Sequence, residues 1–76
     1  MTSVTDRITS ILVENFGLNA IDVKANNNLE TLGVDSIITI EIQLELEREF
    51  GVKIPDGDIL PSFTVKDISE YIQSKV

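Results

Sequence analysis

The chain contains no cysteine and no histidine. Disulfide frameworks, zinc fingers, thiol redox chemistry and the Cys-His and Ser-His catalytic pairs are therefore excluded by inventory, and any thiol chemistry has to be imported. Tryptophan is absent, and the two prolines and four glycines leave long stretches with no helix breaker. Cations are scarce: six Lys and Arg against 13 Asp and Glu give a net charge of -7 and a pI near 4.2. Such a surface repels phosphate backbones and anionic bilayers, so nucleic acid and membrane are poor partners and a basic protein surface is the complementary one. No apolar run is long enough for a membrane span or a targeting leader. Met1 is followed by the polar Thr2 and Ser3, so a cytoplasmic, free-standing protein is the default expectation.

What is present is a chain that folds. Hydrophobic residues make up 42% of it, too many for an acidic disordered tail, so the charge belongs to the surface of a packed domain. A length of 76 residues supports one domain, residues 1–76, near the lower size for a single core, and a monomer is expected. The charge is uneven. Between Asp35 and Asp58, seven acids (Asp35, Glu41, Glu45, Glu47, Glu49, Asp56, Asp58) face only Arg48 and Lys53, which accounts for five of the seven excess negatives. Solvation of an exposed helix explains such a run as readily as partner recognition does.

Val4, Ile8, Ile11, Leu12 and Phe16 recur at helical spacing and predict a first helix over about Ser3 to Phe16, with Thr2, Ser3 or Thr5 as caps and Gly17 as the stop. The stretch from Gly17 to Asp35 far exceeds the usual connection of about 4–6 residues. It has to be anchored by Leu18, Ile21, Val23, Leu29, Leu32 and Val34, with Asn26-Asn27-Asn28 as turn material and a short helical turn near Leu29–Leu32. A long helix follows over Ser36–Phe50, and its apolar residues fall on two stripes. Ile38, Ile42, Leu46 and Phe50 form the series expected to face the core; Ile37, Ile40 and Leu44 form a second line left near solvent, unless the bundle wraps tightly enough to bury all seven. Bordered by Glu41, Glu47 and Arg48, that second line makes a docking face, its apolar part supplying affinity and its acids steering a basic partner.

Gly51 ends the long helix, Pro55 keeps Val52–Ile54 extended, and Asp56–Leu60 allows only a short turn or single-turn helix before Pro61. Asp56 and Asp58 around Gly57 invite a calcium reading, which fails on spacing. An EF-hand loop begun at Asp56 has Leu60 and Pro61 where a ligand and the glycine belong, and one begun at Asp22 ends on Gly33 instead of glutamate. Thr64 and Asp67 open a last helix whose stripe is Val65, Ile68, Tyr71 and Ile72. No segment alternates as a half-buried strand does. The expected fold is all-α: a four-helix bundle with a long first loop and a short third helix.

The stretch Leu32-Gly33-Val34-Asp35-Ser36-Ile37 carries the functional signal. Asp35 is a good N-cap, Gly33 frees the backbone before it, and Ser36 falls in the first turn facing solvent. A hydroxyl there lies beside unpaired N–H groups and the positive end of the helix dipole, which suits a phosphate ester, although Asp and Ser at a helix start are also ordinary capping chemistry.

With Glu41, Leu46-Glu47-Arg48-Glu49-Phe50-Gly51 and Ile54-Pro55, this stretch resembles the acyl carrier proteins, over essentially the whole chain. The resemblance implies that Ser36 carries a 4'-phosphopantetheine arm delivered from coenzyme A by a phosphopantetheinyl transferase. Acyl groups then ride as thioesters on the arm between enzymes of fatty-acid or polyketide synthesis. The chain itself is then no enzyme, and it has neither a histidine base nor a Gly-x-Ser-x-Gly elbow. Partner contacts are assigned to Asp35, Ile37, Ile40, Glu41, Leu44, Glu47 and Arg48, and an acyl-chain cleft to Ile40, Leu46, Ile54, Ile59 and Ile68. Ile37 stands where leucine is usual, and Ile38 where many bacterial fatty-acid carriers have an acid; the motif is closer to polyketide-type carriers. A peptidyl or aminoacyl carrier is the nearest alternative, disfavoured by Asp35 before the serine. An unmodified acidic interaction module is the alternative from another class.

Overall fold

Each helix begins where a side chain can cap it. The computed structural model describes residues 3–75, so Thr2, one of the capping candidates, lies outside it. Ser3 Oγ accepts the Asp6 N–H at 3.1 Å and starts α1, Val4–Phe16. Gly17 closes it at φ 69°, a left-handed conformation that glycine, with no Cβ, adopts freely. Asn19 caps α2, Ala20–Lys24; Asp35 caps α3, Ser36–Phe50; and Thr64 with Asp67 forms a capping box at α4, Val65–Gln73.

The all-helical bundle matches the sequence reading, but its short helix sits elsewhere. Residues 56–59 form turns and bends, and the fourth helix is α2, inside the long first loop. Gly57 at φ 90° and the tie of Asp58 N–H to Pro55 O reverse the chain too sharply there for an i to i+4 ladder to start. The expected helical turn at Leu29–Leu32 is likewise a set of turns.

The buried stripes converge on one core: Ile8, Ile11 and Leu12 from α1, Ile42 and Leu46 from α3, Val65, Ile68 and Ile72 from α4, with Ile54 and Ile59 from the connection between the last two. The first loop adds Val23, Leu29 and Val34. Ile21, expected among its anchors, is 78% exposed. Two residues along a helix lie on nearly opposite sides, so α2 can turn only one of Ile21 and Val23 inward. Two backbone bonds, Leu29 N–H to Phe63 O at 2.9 Å and Glu30 N–H to Pro61 O at 2.8 Å, lace this loop to the segment before α4. Asn26, at φ 64°, takes the left-handed turn that asparagine tolerates.

The α3 stripes separate as expected for the larger series. Ile42 and Leu46 are fully buried with Ile38 and Phe50 packed beside them, whereas Ile37, Ile40 and Leu44 are 68%, 48% and 53% exposed. A uniformly buried α3 is thereby excluded.

Candidate functional site

Ser36 is the first residue of α3 and is exposed. Its position is set from behind. Leu29, fully buried, accepts the N–H groups of Leu32 and Val34 on its carbonyl, and Val34 is itself inserted in the core, so the chain enters α3 along one path. Asp35 then spends one carboxylate oxygen on the Ile38 N–H (2.9 Å) and its carbonyl on both the N–H and the hydroxyl of Thr39 (3.0 and 2.8 Å). Thr39 is buried, and its hydroxyl is thereby committed to the helix start. Among the described residues, the Ser36 and Ile37 N–H groups keep no protein acceptor, as the first turn of a helix requires.

Two openings flank Ser36. One, of about 510 Å³, is lined by Glu30, Gly33, Val34, Asp35, Ser36 and Pro61. The other is a cleft of about 220 Å³ between α3 and the 56–61 turns, reached by Ser36, Thr39, Ile40, Gln43, Asp56, Gly57, Ile59, Leu60 and Pro61. A third hollow, lined by Arg7, Glu14, Asn15 and Glu49, lies at the far end of α3, where Arg7 is engaged with Glu49 at 3.0 Å and lies 4.4 Å above the Phe50 ring.

The residues assigned to the acyl-chain cleft divide. Ile40 and Ile59 line the cleft; Leu46, Ile54 and Ile68 do not reach it and are 0%, 4% and 0% exposed in the closed core. The seven residues assigned to partner contact lie on α3 and its cap. Asp35, Ile37, Ile40, Glu41, Leu44 and Arg48 are exposed and Glu47 is half-buried. Arg48 pairs with Glu45 at 3.4 Å, so the cation that interrupts the acidic face is partly neutralised within its own helix.

Sequence reading missed the residues that hold the cleft's outer wall. Gln43 is only 2% exposed, and its two Nε2 hydrogens are taken by Ile54 O at 2.9 Å and Asp56 Oδ1 at 2.8 Å, with Glu47 Oε1 at 3.3 Å as a weaker, shared acceptor. On the opposite side of Gly57, Asp58 Oδ2 accepts the Tyr71 hydroxyl at 2.6 Å. The two acids that flank Gly57 are thus tied to α3 and α4, and among the described residues no group of carboxylates is placed to hold a metal ion. Burial, the proton donated to Asp58, and the negative charges of Asp58 and Glu47 push the Tyr71 phenol up to about 12. The available signal for Gln43 was its spacing: seven residues after Ser36, it falls on the same face of the helix.

The site is thus an exposed serine at a helix start, flanked by two openings and followed by an acid-lined helix, and among the described residues its hydroxyl makes no hydrogen bond to another side chain. The family model described as a phosphopantetheine attachment site matches residues 6–72. The chain belongs to that family: it is a carrier domain that bears a covalent 4'-phosphopantetheine and serves other enzymes instead of catalysing a reaction.

The residues at Ser36 fit that group in space and in dipole. Two unpaired N–H groups stand beside the hydroxyl at the positive end of a 15-residue helix, and open volume lies on both sides. Glu30 and Asp35 bring negative charge to one of these openings and no cation lines either, so local charge does not assist the phosphate; the helix N-terminus is what favours it. Among the described residues, no helix is long and apolar enough to cross a membrane.

Proposed function

We propose that this protein is an acyl carrier, with Ser36 as the hydroxyl that receives the arm of coenzyme A from a phosphopantetheinyl transferase. The observation that carries the assignment is the exposure of Ser36 at the head of α3, on a backbone pinned by Leu29, Val34 and the Asp35 cap. Ser3, Ser10, Ser62 and Ser74 are also exposed; of these only Ser3 stands at a helix start, where its hydroxyl is taken up as the α1 cap, and only Ser36 reaches both openings. The arm supplies a flexible tether ending in a thiol that holds acyl groups as thioesters. The chain's own residues position the attachment oxygen, keep it in solvent and present a surface to visiting enzymes.

That surface is the outer side of α3. Ile37, Ile40 and Leu44 contribute an apolar strip that stays about half exposed or more among the described residues, and Glu41, Glu47 and the Asp35 carboxylate border it with negative charge. A basic protein patch is its complement, charge governing encounter and the apolar strip governing residence. Asp35 before the serine supports an acyl over a peptidyl cargo, and the polyketide pathway is the preferred setting within the acyl carriers. The cleft between α3 and the 56–61 turns, with Ile40 and Ile59 on its walls, is the place for cargo beside Ser36.

The test is intact mass after incubation with coenzyme A and a phosphopantetheinyl transferase. The protein gains one arm and the Ser36→Ala variant gains none. An arm on the variant would remove Ser36 from its role, and no arm on either would leave the acidic interaction module as the better reading.

A further inference from the structure

The Gln43 amide has only one orientation open to it. Its three polar neighbours on one side, the Ile54 carbonyl and the Asp56 and Glu47 carboxylates, can only accept, so Nε2 must face them and Oε1 must face away. Among the described residues nothing donates to Oε1, and no enclosed side-chain polar atom is left without a partner. That oxygen therefore keeps a narrow contact with solvent, and the opening that Gln43 lines is the cleft beside Ser36. Of the other polar wall groups, Thr39 donates to the Asp35 carbonyl, Asp56 accepts from Gln43 on Oδ1 and turns the rest of its carboxylate to solvent, and Ser36 is the attachment point itself. Ile40, Ile59 and Leu60 form the apolar remainder.

We propose that Gln43 makes this cleft selective for an occupant that offers a hydrogen-bond donor, an N–H or O–H, over a plain alkyl chain. The proposal rests on the reading of Ser36 as the arm's attachment point. Seven residues of helix place Gln43 about 10 Å along α3 from Ser36, within reach of a tethered group folded back against the helix. An alkyl chain pressed on Oε1 strips its water and returns no bond, whereas a donor restores the bond inside a cleft where it is poorly screened. The donor is either an amide N–H of the arm or a hydroxyl of the cargo.

The experiment uses isotope-labelled wild-type protein in four forms: without the arm, with the bare arm, with a saturated acyl group, and with the β-hydroxyacyl group of equal length. Intact mass verifies each form, and the side-chain carbonyl carbon of Gln43 is read by NMR. No substitution is involved, so loss of the Gln43 ties to Ile54 and Asp56 does not confuse the result. A downfield shift on attachment of the bare arm, retained in the acyl forms, supports the proposal with the arm amide as donor. A downfield shift confined to the β-hydroxyacyl form supports it with the cargo hydroxyl as donor. A carbon that stays still in all arm-bearing forms, or that responds alike to both acyl groups and not to the bare arm, overturns the proposal and leaves the acyl-carrier reading intact. Protein that gains no arm overturns both.

Discussion

Tyr71 on α4 donates its hydroxyl to Asp58 Oδ2 across 2.6 Å, and through that bond the last helix holds the turn that walls the cleft. Burial of the phenol together with this bond makes the fold sensitive to alkali. With the phenol raised from 10.0 to about 12 in the folded state, its contribution to stability is complete below pH 10, declines between pH 10 and 12, and is lost above that. In Tyr71→Phe the unfolding free energy should be lower at neutral pH and should lose this part of its alkaline slope. Denaturant unfolding of both proteins across that pH window measures it, and parallel curves would show that the bond carries no linkage.

Ser36 and Asp35 should separate modification from stability. Asp35 supplies the cap, so Asp35→Ala should cost about 1 kcal/mol of stability, while Ser36→Ala, which removes no side-chain hydrogen bond among the described residues, should stay within about 0.5 kcal/mol of wild type. Urea midpoints decide this. An equal loss in both variants would mean that the Ser36 hydroxyl serves the helix start as well.

Ile42 and Leu44 stand two positions apart on α3 with opposite fates, one fully buried and the other 53% exposed. Ile42→Ala should destabilise by roughly 2–5 kcal/mol, a large share of what so small a domain possesses. Leu44→Ala should change stability by under about 0.5 kcal/mol and instead slow arm transfer by weakening the complex with the transferase. Transfer rates on folded variants report the second effect, and an unchanged rate would remove Leu44 from the docking face.

Charge reversal distinguishes recognition from solvation. Glu41 is exposed beside the apolar strip, and Glu14 is exposed on α1, lining the hollow at the far end of α3. Glu41→Lys should reduce the transfer rate several-fold at low salt, with the difference shrinking as salt screens it, and Glu14→Lys should do little. Glu47 is a less clean site because its carboxylate also accepts from Gln43 at 3.3 Å. Equal effects of Glu41→Lys and Glu14→Lys would leave only net charge as the cause.

Local chemistry was enough to read where the three longer helices begin, where α1 and α3 end, and which serine heads α3. Caps and stops act within a turn: Ser3 on Asp6, Asp35 on Ile38, Thr64 on Asp67, and glycines at φ 69° and 66° after Phe16 and Phe50. Their signals are therefore written in adjacent residues. The helix at Ala20–Lys24 escaped because five residues are too few to display a period, and its Asn19 cap sits in a loop already rich in asparagine. Spacing also left open whether both apolar stripes of α3 are buried; it took the approach of α1 and the laced loops to bury Ile42 and Leu46 and leave Ile37, Ile40 and Leu44 outside. The cleft depended on tertiary structure most of all. Gln43 reads in sequence as a polar residue of an acidic helix, and Asp56 and Asp58 as solvated turn acids. They acquire their roles only when folding brings the 56–60 turn against α3 and α4, where buried Gln43 must exchange water for partners such as Asp56, and half-buried Asp58 takes the Tyr71 hydroxyl.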